Sequence, residues 1–204
     1  PPVARAEKPK HHVHAVILAG GSGERYWPLS REMNPKQMLS IFGGTSLIMQ
    51  AFERVKPFVD CDDIHVLTNE RLRDEISNHL IAAISICDLP VHVYAEPVSR
   101  NTAAAVALSA AYIHRLDPDA VMMVVPSDHI LESGPSWEAV GRLALEAAEE
   151  GALVTIGLKP RYAETGYGYI KTGPDVPGLG DGDLRGKRVA AFVEKPDRET
   201  AEGY

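Results

Sequence analysis

The chain has 204 residues, of which 45% are hydrophobic, and a formal net charge of -7. This is enough apolar material for one well-filled domain, and the acidic balance excludes a broad nucleic-acid surface, which needs clustered lysine and arginine. Two cysteines, Cys61 and Cys87, are too few for a disulfide framework or a cysteine metal site, and no apolar run is long enough to span a membrane. We therefore expect a soluble protein of the reducing cytoplasm that binds neither nucleic acid nor membrane.

The amino-terminal segment consists of prolines and charges. We predict that residues 1–12 form a disordered leader and that residues 13–204 form the folded domain. Three histidines at its end, His11, His12 and His14, suggest a metal site. Consecutive histidines near a flexible terminus are more often solvated, however, and no acidic residue or further histidine lies nearby in the sequence, so we predict none here.

Short apolar runs alternate with longer amphipathic runs along most of the chain. Runs rich in valine and isoleucine are predicted as strands over residues 13–18, 64–68, 91–95, 121–125 and 153–156. The amphipathic runs are predicted as helices over residues 46–56, 70–86, 102–116 and 136–150, with Thr45 capping the first and Gly151 ending the last. This alternation predicts an α/β fold with a Rossmann-like, mostly parallel sheet and helices on both faces.

The pattern changes beyond Gly157. Residues 167–171 and 188–194 are predicted as strands, and the segment between them is rich in glycine and proline. This predicts a small β excursion near the carboxyl-terminal end. A further helix is expected to begin after Asp197.

The first predicted strand runs into a glycine-rich loop. Three glycines lie within Gly20–Gly23, so backbone N–H groups there can approach an anion closely, and Arg25 and Lys36 add positive charge. The loop fits neither the P-loop, which ends in Gly-Lys-Ser/Thr, nor the dinucleotide fingerprint, whose third glycine is replaced by Tyr26. An ordinary tight turn is the alternative for the glycines taken alone.

Two further predicted strands end in polar motifs, one spanning Glu96–Thr102 and the other Pro126–His129. Ligands of an open α/β sheet bind beyond the carboxyl ends of its strands, so these motifs and the glycine loop predict one shared site. Asp128 could hold Mg²⁺, which uses one or two carboxylates with substrate phosphates, or could simply cap its loop. Asn101 or Thr102 could cap the following helix.

Two more motifs lie near the carboxyl-terminal end. Glycines alternate around Tyr167, at Gly166 and Gly168, which lets a ligand approach the backbone closely or marks a bulged or edge strand. Glu194 and Lys195 offer a hydroxyl acceptor and a phosphate-binding cation, although neighbouring Glu and Lys usually form only an exposed ion pair.

The stretch Leu18–Arg25, followed by Pro28 and by Pro35-Lys36-Gln37, closely resembles the opening motif of the sugar nucleotidyltransferases. The segments 27–32 and 34–37 most resemble the mannose-1-phosphate guanylyltransferase branch of that family. Glu24 departs from the threonine often found in this loop and places an acid beside the expected phosphates.

The resemblance implies a nucleotidyltransferase fold, with transfer of a guanylyl group from GTP to mannose 1-phosphate and Mg²⁺ as cofactor. It implies that the catalytic residues are Arg25, Lys36, Asp128 and Lys195, with Asp128 as the metal ligand. The nucleotide-binding residues that it implies are Leu18, Ala19, Gly20, Gly21, Ser22, Gly23, Glu96, Arg100, Asn101, Thr102 and Ser127. Those implied for the sugar phosphate are Gly166, Tyr167, Gly168, Glu194 and Lys195.

Members of the family continue well past the end of this chain. We therefore expect a catalytic domain truncated at its carboxyl-terminal end, with the second metal carboxylate outside the chain, and this piece alone need not be active. A phosphomannose isomerase domain follows in some similar proteins, and the expected assembly is a homo-oligomer, a dimer.

Three other functions stay open at this point. Another nucleotidyltransferase of the same type would transfer a thymidylyl or uridylyl group to glucose 1-phosphate. A regulatory module would bind a nucleotide sugar without catalysis. A nicotinamide-dependent dehydrogenase ranks third because Tyr26 interrupts the fingerprint.

Overall fold

The computed structural model describes residues 11–21, 35–40, 44–83 and 91–204. The chain divides into two compact units, Pro1–Glu138 and Ala139–Tyr204. Among the described residues, no helix has the length and apolarity that crossing a membrane requires.

A parallel sheet of four strands is the centre of the first unit. The strands are β1 (Val13–Leu18), β2 (Ile64–Asn69), β3 (His92–Glu96) and β4 (Val121–Pro126), in the order β3-β2-β1-β4. The chain leaves β1 toward β2 and β3 on one side and returns to β4 on the other. The strand order therefore reverses at β1, which opens a crevice beyond the carboxyl ends of β1 and β4.

The helices cover a sheet that is apolar on both faces. They are α1 (Leu47–Val55), α2 (Arg73–Ala83) and α3 (Asn101–Leu116), and a fourth helix, α4 (Pro135–Glu149), follows them in the chain. Alternate residues of β1 point to opposite faces, and Val16 and Ile17 are both almost fully buried, so both faces are covered. On the Val16 face, Ala105 and Ile113 of α3 complete an apolar cluster.

The second unit contains an antiparallel hairpin of β5 (Tyr169–Asp181) and β6 (Leu184–Val193), followed by the short helix α5 (Arg198–Glu202). The Asp197 side chain caps α5 by accepting from the backbone N–H of Thr200 at 2.8 Å. These elements are the β excursion and final helix that the sequence predicts.

The α/β fold with a parallel sheet is confirmed, and its four strands lie within one residue of their predicted bounds. The predicted strand over residues 153–156 is wrong. Residues 152–160 form no strand, and Leu153 is fully exposed, because an apolar run without a ladder partner is not a strand. The segment between residues 171 and 188, predicted as a glycine-rich loop, lies largely within β5. Its pairing with β6 is interrupted by register shifts, where the glycines are accommodated.

Helix ends differ from prediction in small ways. α1 begins after Ser46 rather than Thr45, whereas Gly151 has the predicted left-handed conformation (φ 84°) after α4. α2 begins at Arg73, and its predicted continuation past residue 83 lies outside the described residues. Cys61 is disulfide-bonded, which the small number of cysteines did not predict.

Candidate functional site

The start of the glycine loop is held by the side chain of Gln37. The Gln37 amide Nε2 donates to the carbonyl oxygens of Ala19 (2.8 Å) and Gly21 (2.9 Å). The hydroxyl of Thr68 donates to the same Ala19 carbonyl at 3.0 Å. Gln37 is fully buried, because the 3-10 turn Lys36–Met38 places it beneath the loop.

The orientation of the loop peptides follows from these bonds. Asn69 Nδ2 donates to the Gly20 carbonyl at 3.2 Å, so the carbonyls of all three residues from 19 to 21 point toward protein donors. The C=O and N–H of one trans peptide point in opposite directions. The N–H groups of Gly20 and Gly21 therefore point away from these donors, as an anion-binding loop requires.

Lys36 and Asp128 form an ion pair beside the loop. Lys36 Nζ donates to Asp128 Oδ2, and the two side chains are 17% and 31% exposed. A Cβ built on Gly21 would lie 3.3 Å from Nζ of Lys36, so the ammonium passes close to the loop backbone. Burial alone would raise the pKa of the Asp128 carboxyl, but the hydrogen bond and charge of Lys36 outweigh it and hold that pKa below its usual value.

Glu96 and Ser127 complete this edge of the sheet. Glu96 ends β3, is 9% exposed, and its Oε2 would lie 3.5 Å from a Cβ on Gly20. The backbone N–H of Ser127 donates to the Leu18 carbonyl at 3.0 Å, which extends the pairing of β1 and β4 by one bond. The ends of β1, β3 and β4 therefore meet around Gly20, Gly21, Lys36 and Asp128.

The loop that carries Asp128 rests on a buried arginine. Arg54 of α1 is 1% exposed, and it donates from Nη1 to the His129 carbonyl (2.7 Å) and from Nη2 to the Pro126 carbonyl (3.2 Å). The indole Nε1 of Trp137 donates to the carbonyl of Arg54 at 2.8 Å. One guanidinium thus holds the loop on both sides of Asp128.

The residues that open α3 are exposed. Arg100, rather than Asn101 or Thr102, occupies the cap position, without a side-chain cap hydrogen bond. Asn101 has φ 65°, a left-handed conformation that asparagine adopts more readily than most residues. The predicted capping role is therefore wrong, and the Asn101 side chain does not cap the helix.

The predicted sugar-phosphate residues lie in the second unit. A Cβ on Gly168 would overlap Cζ of Phe192 and lie 3.0 Å from Oε2 of Glu194, so the chain's own side chains occupy this space. Lys195 Nζ and Glu194 Oε1 form an exposed ion pair at 3.0 Å. Gly166 and Tyr167 are both exposed.

Part of the predicted set lies outside the described residues, namely Ser22, Gly23 and Arg25. Sequence reasoning missed the supporting roles of Arg54, Thr68 and Asn69. One signal was available for Arg54, which falls at helical spacing from the apolar residues Leu47 and Ala51 and therefore lies on the buried face of α1.

Comparison with known proteins adds independent information. A family model described as Nucleotidyl transferase matches residues 14–204. The chain is 42% identical over 198 residues to a mannose-1-phosphate guanylyltransferase of Klebsiella pneumoniae, covering 93% of this chain and 39% of that protein. It is 42% identical over 192 residues to the xanthan biosynthesis protein XanB of Xanthomonas campestris, covering 93% and 38%. The chain thus spans about two fifths of the length of these relatives.

Solved structures share the fold. A Thermus thermophilus protein described as mannose-1-phosphate geranyltransferase is 34% identical, with a TM-score of 0.78, covering 94% of this chain and 52% of that one. A Helicobacter pylori protein described as mannose-6-phosphate isomerase is 28% identical, with a TM-score of 0.71, covering 93% and 63%.

Proposed function

The chain belongs to the nucleotidyl transferase family, and from this we propose that it is part of an enzyme that forms GDP-mannose and pyrophosphate from GTP and mannose 1-phosphate. Relatives named mannose-1-phosphate guanylyltransferase at about 40% identity support this substrate pair. The observation that carries the proposal is the contact of Lys36 with Asp128 beside Gly21, which joins three separate motifs at one edge of the sheet.

The proposed reaction needs no protein nucleophile. A phosphate oxygen of mannose 1-phosphate attacks the α-phosphorus of GTP, the bond from that phosphorus to the bridging oxygen breaks, and pyrophosphate leaves. The attacking phosphate is already ionised at neutral pH. The protein therefore has to align two anions that repel each other and offset the charge that moves onto pyrophosphate.

The residues divide these tasks. The outward N–H groups of Gly20 and Gly21 bind phosphate oxygens of GTP, and the positive charge of Lys36 lies next to them. We assign Arg25 to the triphosphate as well. Glu96, Arg100, Asn101, Thr102 and Ser127 belong to the proposed nucleotide-binding edge, where a carboxylate such as Glu96 can accept from the exocyclic amine of guanine.

Asp128 is the proposed magnesium ligand. Its carboxyl stays ionised beside Lys36 and projects from the end of β4, and one carboxylate with substrate phosphates is a donor set that suits Mg²⁺. When bound, Mg²⁺ supplies positive charge to the phosphate oxygens. Lys36 neutralises the carboxylate in its absence.

The second unit supplies the proposed sugar-phosphate residues. Glu194 accepts from sugar hydroxyls and Lys195 binds the phosphate, with Gly166, Tyr167 and Gly168 beside them. We also propose that the enzyme is a dimer of the cytoplasm and that its catalytic domain includes residues 13–204.

The test uses the full-length protein with GTP and mannose 1-phosphate, and it measures pyrophosphate release. Asp128→Asn and Lys36→Met should each lower turnover by about 10²–10³, as loss of one preorganised electrostatic group typically does. Lys56→Met and Asp74→Asn are the matched controls, because Asp74 is 83% exposed on α2 and Lys56 pairs with Glu53 at the end of α1. Unchanged turnover in Asp128→Asn and Lys36→Met would overturn the assignment.

Substrate identity is tested in parallel with UTP, dTTP and glucose 1-phosphate. Faster turnover of glucose 1-phosphate with UTP or dTTP would show that the enzyme is a uridylyl or thymidylyl transferase instead. Binding of GDP-mannose without pyrophosphate release from GTP would instead identify a regulatory module.

A further inference from the structure

Imidazoles and carboxylates gather at the amino-terminal edge of the parallel sheet. His12 and His14 lie at the start of β1, Asp63 directly precedes β2, and Asp117 follows α3. One ligand atom from each of His12, His14 and Asp63 lies within 4.8 Å of the other two. The fold thus supplies the acidic partner that the sequence around the histidines lacks.

The distances between the candidate ligand atoms come close to those around a four-coordinate ion. Zinc bonds to nitrogen and carboxylate oxygen are about 2.0–2.2 Å long, so neighbouring ligand atoms lie about 3.4 Å apart. His14 Nδ1 and Asp63 Oδ1 are already 3.7 Å apart. His12 Nε2 and Asp63 Oδ2 are 2.7 Å apart, and an ion between them would replace this hydrogen bond.

His12 is oriented for such a role. Its backbone carbonyl accepts from the N–H of Val121 at 2.9 Å, so the residue is tied to the start of β4. With Nε2 toward Asp63, its Nδ1 faces Asp117 Oδ2 at 3.5 Å. A carboxylate on the far nitrogen is the arrangement that commonly fixes a metal-binding histidine.

His14 is not satisfied by the protein alone. It is 5% exposed, its Nδ1 lies 2.9 Å from Nε2 of His65, and its buried Nε2 has no hydrogen-bond partner among the described residues. An ion on Nδ1 would leave the ring proton on Nε2, so this buried atom does not by itself point to the site. An ion on Nδ1 would compete with the hydrogen bond to His65.

The local field also favours a cation. Asp117 is the C-cap residue directly after α3, so the negative end of the helix dipole lies at the cluster. Asp63 and Asp117 add two carboxylates, with side chains 13% and 29% exposed.

We propose that His12, His14 and Asp63 form a binding site for a divalent transition-metal ion of the zinc type, with Asp117 orienting His12. Two imidazoles and a carboxylate form a ligand set that zinc accepts, with water as the fourth ligand. The ion would join the segment before β1 to the turn before β2. The site is separated from Asp128 by the length of a strand, about 17–20 Å for six residues.

The test is zinc titration of the metal-stripped, full-length protein by calorimetry, in buffer containing excess Mg²⁺. The wild type should bind one Zn²⁺ per chain at this site, and its melting temperature should rise, since an ion that binds only the folded state stabilises it. His12→Ala and Asp63→Asn should weaken binding by about tenfold or more. Both residues are partly exposed, so both variants should fold.

Matched controls are His114→Ala and Asp62→Asn, an exposed histidine of α3 and the exposed neighbour of Asp63. They should bind zinc like the wild type. Absence of binding in the wild type would overturn the proposal, and so would equal affinity in wild type, His12→Ala and Asp63→Asn.

A second measurement locates the ion directly. Crystals soaked in zinc should give an anomalous peak between the imidazoles of His12 and His14 and the carboxylate of Asp63. A peak only elsewhere would refute the site even if the calorimetric stoichiometry were one.

Discussion

Nη1 of Arg54 donates a 2.7 Å hydrogen bond to the backbone carbonyl of His129, the residue after Asp128. A buried cation on α1 thereby sets the position of the loop that carries the proposed magnesium ligand. The guanidinium is desolvated by burial, which lowers its pKa, while the charge of Asp128 opposes that effect. The planar arrangement of its N–H donors, more than its charge, lets one guanidinium bind both carbonyls.

Arg54→Met should therefore affect stability and activity together. Each carbonyl left unpaired in the interior costs about 1–3 kcal/mol, and a displaced Asp128 lowers turnover by up to about 10²-fold. Arg54→Lys should lie between, because the ammonium keeps the charge but lacks the planar fork of N–H donors that reaches both carbonyls. Urea denaturation and the Mg²⁺ dependence of turnover measure the two effects. The exposed Arg73→Met is the control, and equal unfolding free energies for Arg73→Met and Arg54→Met would contradict this interpretation.

Gln37→Glu should disrupt the glycine loop without changing the size of the side chain. The Nε2 donor that serves the carbonyls of Ala19 and Gly21 becomes an oxygen that repels them, at a cost of about 1–3 kcal/mol or more. Nucleotide affinity and thermal stability should both fall. Gln50→Glu makes the same change where the amide donates to the exposed Thr45 carbonyl, and it should cost less than Gln37→Glu. Similar effects at both positions would exclude a special role for Gln37.

Gly168→Ala tests whether this glycine serves the hairpin or a ligand. The new methyl group would meet the ring of Phe192, which is largely exposed and must turn away, at a cost of about 0.5–1.5 kcal/mol if its rotamer is strained. Phe192→Ala should relieve that cost in the double variant, which a thermodynamic cycle measures. If the double variant recovers stability but not affinity for mannose 1-phosphate, the glycine also serves the ligand. A cycle with no coupling would show that the ring is not the constraint.

His79 predicts a pH dependence of stability. Burial lowers its pKa below the usual 6.5, and its Nε2 lies 2.7 Å from the Ser46 hydroxyl, which is thereby withdrawn from capping α1. The unfolded chain then binds a proton more readily than the folded chain, so this contribution to stability is complete above pH 6.5 and decreases as the pH falls below it. Denaturant unfolding at several pH values should show a smaller loss in His79→Gln than in the wild type. Identical profiles would exclude His79 as a source.

The sequence was sufficient for the features that depend on local pattern. Apolar runs located β1 to β4, and the rule that ligands bind at strand ends placed Glu96, Asp128 and the glycine loop at one edge of the sheet. These inferences succeed because side-chain periodicity and chain direction are properties of neighbouring residues.

The features that failed depend on distant partners. Residues 153–156 have the composition of a strand but no strand beside them. Arg54 could be placed on a buried face, yet nothing local indicated that its guanidinium would reach the carbonyls of Pro126 and His129. The pairing of His12 with Asp63 is likewise a product of strand order, which brings together residues 51 positions apart.

The central position of β1 in the sheet also affects how the chain folds during translation. Val13 is among the first described residues to leave the ribosome, but its ladder partner Val121 follows about a hundred residues later, which is roughly 5–20 s at ordinary translation rates. Throughout that interval a strand that is apolar on both sides has at most one neighbour. The nascent chain therefore passes through an aggregation-prone stage, and chaperone capture during translation should matter more for its yield than the final stability of the sheet.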